Sequence, residues 1–137
     1  MITNNILINF DRKAKIFIKL INTVPDESIW GLQDVSNDIW SHFNGEWNNI
    51  RPFLISSKHV FENRCYPDLY INLTRESKKI LSDLLTSNPI AINYFWHNIF
   101  FKDDLIFAEI IEGNQSMDIL KELKIDIKGN EDWVNFY

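Results

Sequence analysis

The sequence predicts an α+β fold, a mainly antiparallel sheet with helices packed on it, in a single domain. Three observations carry that expectation. Residues 92–101 and 105–111 are strongly apolar runs separated by the charged tip Lys102-Asp103-Asp104, the pattern of a β-hairpin. Residues 69–73 (LYINL) alternate as a strand and lead into Thr74, a good cap for a helix over residues 75–87. No repeat, linker or low-complexity stretch divides the 137 residues, a length that suits one domain with a real core.

Taken in order, residues 14–21 (AKIFIKLI) fit a strand or, with Asp11 as a cap and Pro25 beyond, a helix; periodicity does not choose. Residues 25–43 read as a helix. Pro25 suits a first-turn position, Asp26 and Glu27 suit the positive end of the helix dipole, and Asn44-Gly45 supplies a stop. At about 100° per residue, Ile29, Leu32, Val35, Ile39, Trp40 and Phe43 share one face, with Glu27, Asp34 and Asp38 opposite. Trp30 falls off the apolar stripe, beside that acidic ridge.

Residues 46–67 are weakly patterned, a loop with a short strand near 52–56. The helix over 75–87 turns Ile80, Leu81, Leu84 and Leu85 inward, and Asn88-Pro89 ends it. With a two-residue hairpin turn, Phe95, His97, Ile99 and Phe101 share a face with Ile106, Ala108 and Ile110. Trp96, Asn98 and Phe100 then lie beside Phe107 and Glu109. Ser116 caps a short helix to Leu123, residues 124–128 alternate weakly as a strand, and Gly129-Asn130 turns into an aromatic tail, Trp133 to Tyr137.

Composition excludes several classes. With 45% hydrophobic and 14% aromatic residues, the chain has too much apolar material to be disordered. One cysteine, Cys65, permits no intramolecular disulfide. Neither a signal peptide nor an apolar run of about 18 residues is present, so the expected setting is cytoplasmic, away from the membrane. Heavy use of Ile and Asn, with little Ala and Gly, is what an AT-rich bacterial coding sequence produces.

The net charge of −5 is unevenly spread. Residues 25–50 hold Asp26, Glu27, Asp34, Asp38 and Glu46 and no Lys or Arg; residues 103–120 hold Asp103, Asp104, Glu109, Glu112 and Asp118, again with no base. Basic residues gather near 12–19 and between 51 and 79. Base-free acidic windows point to a basic partner and away from nucleic acid, whose phosphates need Lys and Arg.

Catalytic chemistry finds little support. His42, His59 and His97 are not spaced as metal ligands, and neither HExxH nor CxxC occurs. The glycines are too isolated for a phosphate loop. Cys65, beside Arg64, is a conceivable nucleophile with a distant histidine, which keeps a small enzyme as an alternative, although a lone packed thiol is commoner. Asp103-Asp104 is half a metal site at most and reads more simply as a solvated tip. No catalytic residue, metal ligand or cofactor is assigned. The candidate partner-binding residues are Glu27, Trp30, Asp34, Asp38, Asp103 and Asp104, because interface hot spots favour Trp and acidic groups suit a basic partner.

Residues 68–85 (DLYINLTRESKKILSDLL) followed by 93–113 (NYFWHNIFFKDDLIFAEIIEG) resemble immunity proteins of bacterial contact-dependent growth inhibition systems. The likeness covers about the last half of the chain and is one of style, strand, helix, then aromatic hairpin. It implies a small antitoxin that binds a cognate basic toxin domain of nuclease type and blocks its active or substrate-binding site. A phage-type inhibitor of a host nuclease would use the same acidic surface. Oligomeric state is left open.

Overall fold

The computed structural model describes residues 4–56, 67–111 and 116–137, with side chains from residue 10 onward. The chain opens with helix α1 (Asn4–Thr23). Ile16, Phe17, Leu20, Ile21 and Val24 recur at helical spacing and are all buried, while Lys15 and Lys19 lie outside. Residues 14–21, open to either reading in the sequence, are therefore helical. Val24 N–H donates to Leu20 O at 3.1 Å, and Pro25, with no N–H to continue the ladder, follows at once.

Strand β1 (Ser28–Gln33) comes next, which corrects the expected helix over 25–43. Pro25 ends a helix here instead of starting one. The Pro25–Ser28 turn is closed by Ser28 N–H and Oγ–H, both donating to Pro25 O, with Glu27 at φ 69°. Beyond it Ser28, Trp30 and Leu32 face the core with period two. Asp34 leaves the strand at φ 54°, and short 3₁₀ turns follow at Asn37–Trp40 and Phe43–Phe53.

The remaining elements are β2 (Leu54–Ile55), β3 (Leu69–Leu73), helix α2 (Arg75–Ser87), a 3₁₀ turn at Pro89–Tyr94, β4 (His97–Lys102), β5 (Leu105–Ile111), β6 (Ser116–Ile119), a 3₁₀ turn at Lys121–Leu123 and β7 (Val134–Phe136). Thr74 caps α2 as expected. Its Oγ1 accepts from Ser77 N–H at 3.1 Å and Ser77 Oγ accepts from Thr74 N–H at 2.8 Å, a reciprocal box in which a lost cap costs about 1 kcal/mol.

Two further expectations change. Residues 116–119 form β6, because Met117 and Ile119 alternate inward against Ile110 and Ala108; only a short 3₁₀ turn remains of the expected helix. Residues 124–128 form no strand, since Lys124 turns left-handed at φ 56°.

Among the described residues the sheet has seven strands in the order β2-β3-β1-β4-β5-β6-β7, antiparallel throughout except for the parallel β6–β7 pair. The α+β expectation is met: α1 and α2 lie on one face of this sheet. Trp30 sits at the centre of that face, stacked on Phe100 at 5.2 Å and edge-on to Phe95 at 5.4 Å, with Phe17 of α1 at 5.9 Å. The hairpin has the expected two-residue turn, but a bulge shifts the register between Phe100 and Phe101. Ala108 and Ile110 therefore pair with Phe100 and Asn98, while Ile106 pairs with Phe101. On the other face Tyr70, Ile99 and Phe101 form a smaller apolar cluster with Ile29 and Ile106.

Candidate functional site

Glu27, Asp34 and Asp38 do not share one helix face, and Trp30 does not stand beside them on the surface. Trp30 is fully buried, and its Nε1–H donates to Asn98 Oδ1 at 3.0 Å inside the core. Its place off the expected apolar stripe was an artefact of assuming helical period; in a strand it points inward. Glu27 lies at one end of β1, its carboxylate accepting from Asn72 Nδ2 at 3.0 Å. Asp34 lies at the other end, exposed, with its N–H donating to Asp68 Oδ2 at 2.7 Å. Asp38 is exposed in the following 3₁₀ turn. Strand rise separates Glu27 from Asp34 by about 23 Å, so the acidic ridge is split between the two ends of the sheet.

The fold does bring Glu27 close to the level of the hairpin tip. Ile29 pairs with Phe101, and extending that antiparallel register by two places sets Glu27 opposite Asp103. Asp103, at φ 51°, and Asp104 form the exposed turn. Lys102 Nζ reaches across to donate to Asp26 O at 3.0 Å, tying the tip to the Pro25–Ser28 turn. Between them runs an open groove of about 650 Å³ lined by Pro25, Lys102, Asp103, Asp104, Leu105 and Phe107. Leu105 is 51% exposed, and Phe136 and Tyr137 are 44% and 47% exposed. Tyr137 Oη–H donates to Ile106 O at 2.5 Å, holding this aromatic beside the hairpin. The end of the sheet thus combines Asp26, Glu27, Asp103 and Asp104 with an apolar floor.

The grouping of Pro25, Lys102, Leu105 and Phe107 around Asp103 and Asp104 was not legible in the sequence. The available signal was a leucine immediately after an Asp-Asp turn, a position where hairpins usually place polar residues.

Lys78 organises the back of this end. It is buried in α2, and its Nζ donates to Val24 O at 2.5 Å and Asp26 Oδ1 at 2.8 Å. That hydrogen bond, and then the Lys78 charge, hold the Asp26 carboxyl below the usual aspartate range, with Arg75 and Lys102 adding to the effect. A carboxyl depressed by folding contributes its stability above the unfolded-state value and loses it as pH falls through the folded value. Stability to denaturant should therefore fall as the pH drops below about 4, the ordinary aspartate value. An Asp26→Asn chain should lose less over that range; equal acid sensitivity in the two would count against this coupling.

Two other clusters stand apart. His97 Nε2 and Glu109 Oε2 are paired at 2.8 Å on the second sheet face, with side chains only 16% and 9% exposed. Register places Gln33 beside His97 and Asp118 beside Glu109. Each partner satisfies a polar group whose burial alone would be costly. A carboxylate-oriented imidazole is also the raw material of general acid–base chemistry. At the far end of β1, His42 Nδ1 and Tyr94 Oη are hydrogen-bonded at 2.5 Å, and the Arg51 guanidinium lies 4.1 Å over the Trp40 ring. Phe43, Asn44 and Gly45 there all have positive φ (55°, 57° and 69°), strained for Phe43. His59 and Cys65 lie outside the described residues.

Among the described residues, no three His, Cys, Asp or Glu side chains converge as a metal cage, and no helix is long and apolar enough to cross a membrane. Comparisons with protein families, curated proteins and solved structures found no match to this chain.

Proposed function

We propose that this chain is an immunity protein that binds a basic toxin domain of nuclease type and covers its active or substrate-binding surface. One observation carries the reading: the adjacent carboxylates Asp103 and Asp104 line an open groove with Lys102, Pro25, Leu105 and Phe107, Leu105 being half exposed, and Asp26 and Glu27 lie in the neighbouring turn that Lys102 ties to the tip. Acidic groups give attraction and orientation toward a basic partner, and the apolar floor gives area that leaves water on contact. Close charge pairs at protein interfaces couple by about 1.5–7 kcal/mol. Two or three such pairs beside an apolar anchor are enough for tight inhibition.

The test first looks for a large secreted effector encoded beside this gene, whose absence would count against the reading, and then titrates that effector's C-terminal domain with the full chain by calorimetry. The double substitution Asp103→Lys/Asp104→Lys is expected to weaken binding roughly a hundredfold or more and to abolish protection of cells expressing the toxin. Asp34→Lys/Asp38→Lys, at the far end of β1, should leave affinity within about threefold. The opposite ranking would move the interface to the far end. Full affinity in both variants would remove the charge-based reading altogether.

A further inference from the structure

The two edges of the sheet differ. β2 contributes two residues, whereas β7 runs toward the hairpin-tip end, because it is parallel to β6 and β6 is antiparallel to β5. Its backbone is engaged on one side. Trp133 O accepts from Met117 N–H at 2.9 Å, Tyr137 N–H donates to Ile119 O at 3.0 Å, and Tyr137 O accepts from Lys121 N–H at 2.9 Å. In a parallel ladder alternate residues bond the same neighbour. Asn135 therefore belongs to β6, while Val134 and Phe136 direct their groups outward. Val134 N–H is taken by Asn130 O at 3.2 Å. That leaves Val134 C=O and Phe136 N–H and C=O along an edge with no described strand beside it.

Exposed edges are usually blunted by lysine, proline or a bulge. Val134-Asn135-Phe136 carries neither lysine nor proline, and its register on β6 is unbroken. Shortness alone limits it, to two or so added ladder bonds. The edge also leads to the acidic groove, since Tyr137 is bonded to Ile106 next to Leu105 and the Asp-Asp turn. A second copy of a chain with net charge −5 complements that end poorly, whereas a cationic segment complements it well.

We infer that β7 receives an extended segment of the partner, bearing Lys or Arg, as an added strand bonded to Val134 and Phe136, with basic side chains near Asp103 and Asp104. This rests on reading the chain as a binder of a basic toxin, and it specifies how the partner is held.

The probe is a capped synthetic heptapeptide of alternating Lys and Val, compared with the same peptide N-methylated on alternate amides, which keeps its charge but blocks one bonding edge. The unmodified peptide is expected to slow hydrogen exchange at Phe136 N–H and to bind about tenfold more tightly than the methylated one. Phe136→Pro, which removes the outward N–H, should erase that difference, while Phe136→Ala, which removes only the phenyl ring, should preserve it. Equal binding of both peptides by the unaltered chain, or an unchanged Phe136 amide, overturns strand addition without relying on any variant to fold. Concentration-dependent protection of Phe136 N–H without peptide overturns it too, by assigning the edge to a second copy. If strand addition fails while Asp103→Lys/Asp104→Lys still releases the toxin domain, the acidic-groove reading stands alone. If peptide selectivity holds while those reversals leave toxin binding intact, the groove reading is the one that fails.

Discussion

Replacing Trp30 with alanine is expected to destabilise the chain by about 3–5 kcal/mol, with a fall in melting temperature of roughly 10 °C or more. Trp30 is fully buried at the meeting point of Phe17, Phe95 and Phe100. Truncation removes the whole indole from that cluster, opens a cavity in packing that cannot fully collapse, and takes its donor from Asn98 Oδ1. Trp30→Phe keeps most of the ring area and loses the hydrogen bond, so a smaller cost of about 1–2 kcal/mol is expected. Denaturant unfolding measures both. The same pair of variants separates a core tryptophan from an interface anchor. An anchor would lose partner affinity with little change in stability, and a Trp30→Ala chain within about 1 kcal/mol of the parent would contradict the core placement.

Gly31→Val should be the next most damaging change, at roughly 3 kcal/mol, the upper part of the overpacking range. A Cβ at Gly31 would stand 2.6 Å from Pro67 Cγ, 3.1 Å from Pro67 Cβ and 3.1 Å from Ile99 Cγ2. A proline ring cannot swing away as a long side chain would, so β1 or the chain at Pro67 has to shift. Here glycine is required for space: β3, β1 and β4 are paired with Pro67 resting over the middle strand. Pro67→Ala added to Gly31→Ala should restore part of the loss through a positive coupling. Simple additivity of the two would show that Pro67 is not the obstacle.

The parts of the fold that were legible in the sequence share a property: their signals are local. Thr74 and Ser77 form a cap within four residues, so the start of α2 follows from short-range bonding alone. Asp103-Asp104 between two apolar runs specifies a hairpin turn by the same logic. Residues 25–43 misled because two periods fit them. Ile29, Leu32, Val35, Ile39, Trp40 and Phe43 satisfy a helical stripe, and Ser28, Trp30 and Leu32 satisfy strand alternation over a shorter span. Gly31, costing about 1 kcal/mol in a helix interior, and the aromatic and β-branched neighbours argued for the strand. Only pairing with both β3 and β4 gave that strand its full ladder. Residues 116–119 went the same way, a four-residue stretch decided by an available edge on β5.

The candidate site divides along the same line. Its acidity could be read directly, because charge belongs to residues: Glu27, Asp103 and Asp104 were each visible. Their convergence could not, since it depends on β1 and β4 pairing in the register that levels Glu27 with Asp103, and on Lys102 reaching the Pro25–Ser28 turn. The sequence by itself determined an α+β domain, its capped helix, its hairpin and an acidic surface, all consequences of spacing and composition within one segment. Tertiary structure alone decided that Trp30 is core, that the acidic residues separate to opposite ends of the sheet, and that β7 is the last strand of the sheet among the described residues. Those outcomes depend on long-range strand partners, and hydrogen bonds between segments far apart in sequence leave no periodic trace in either one.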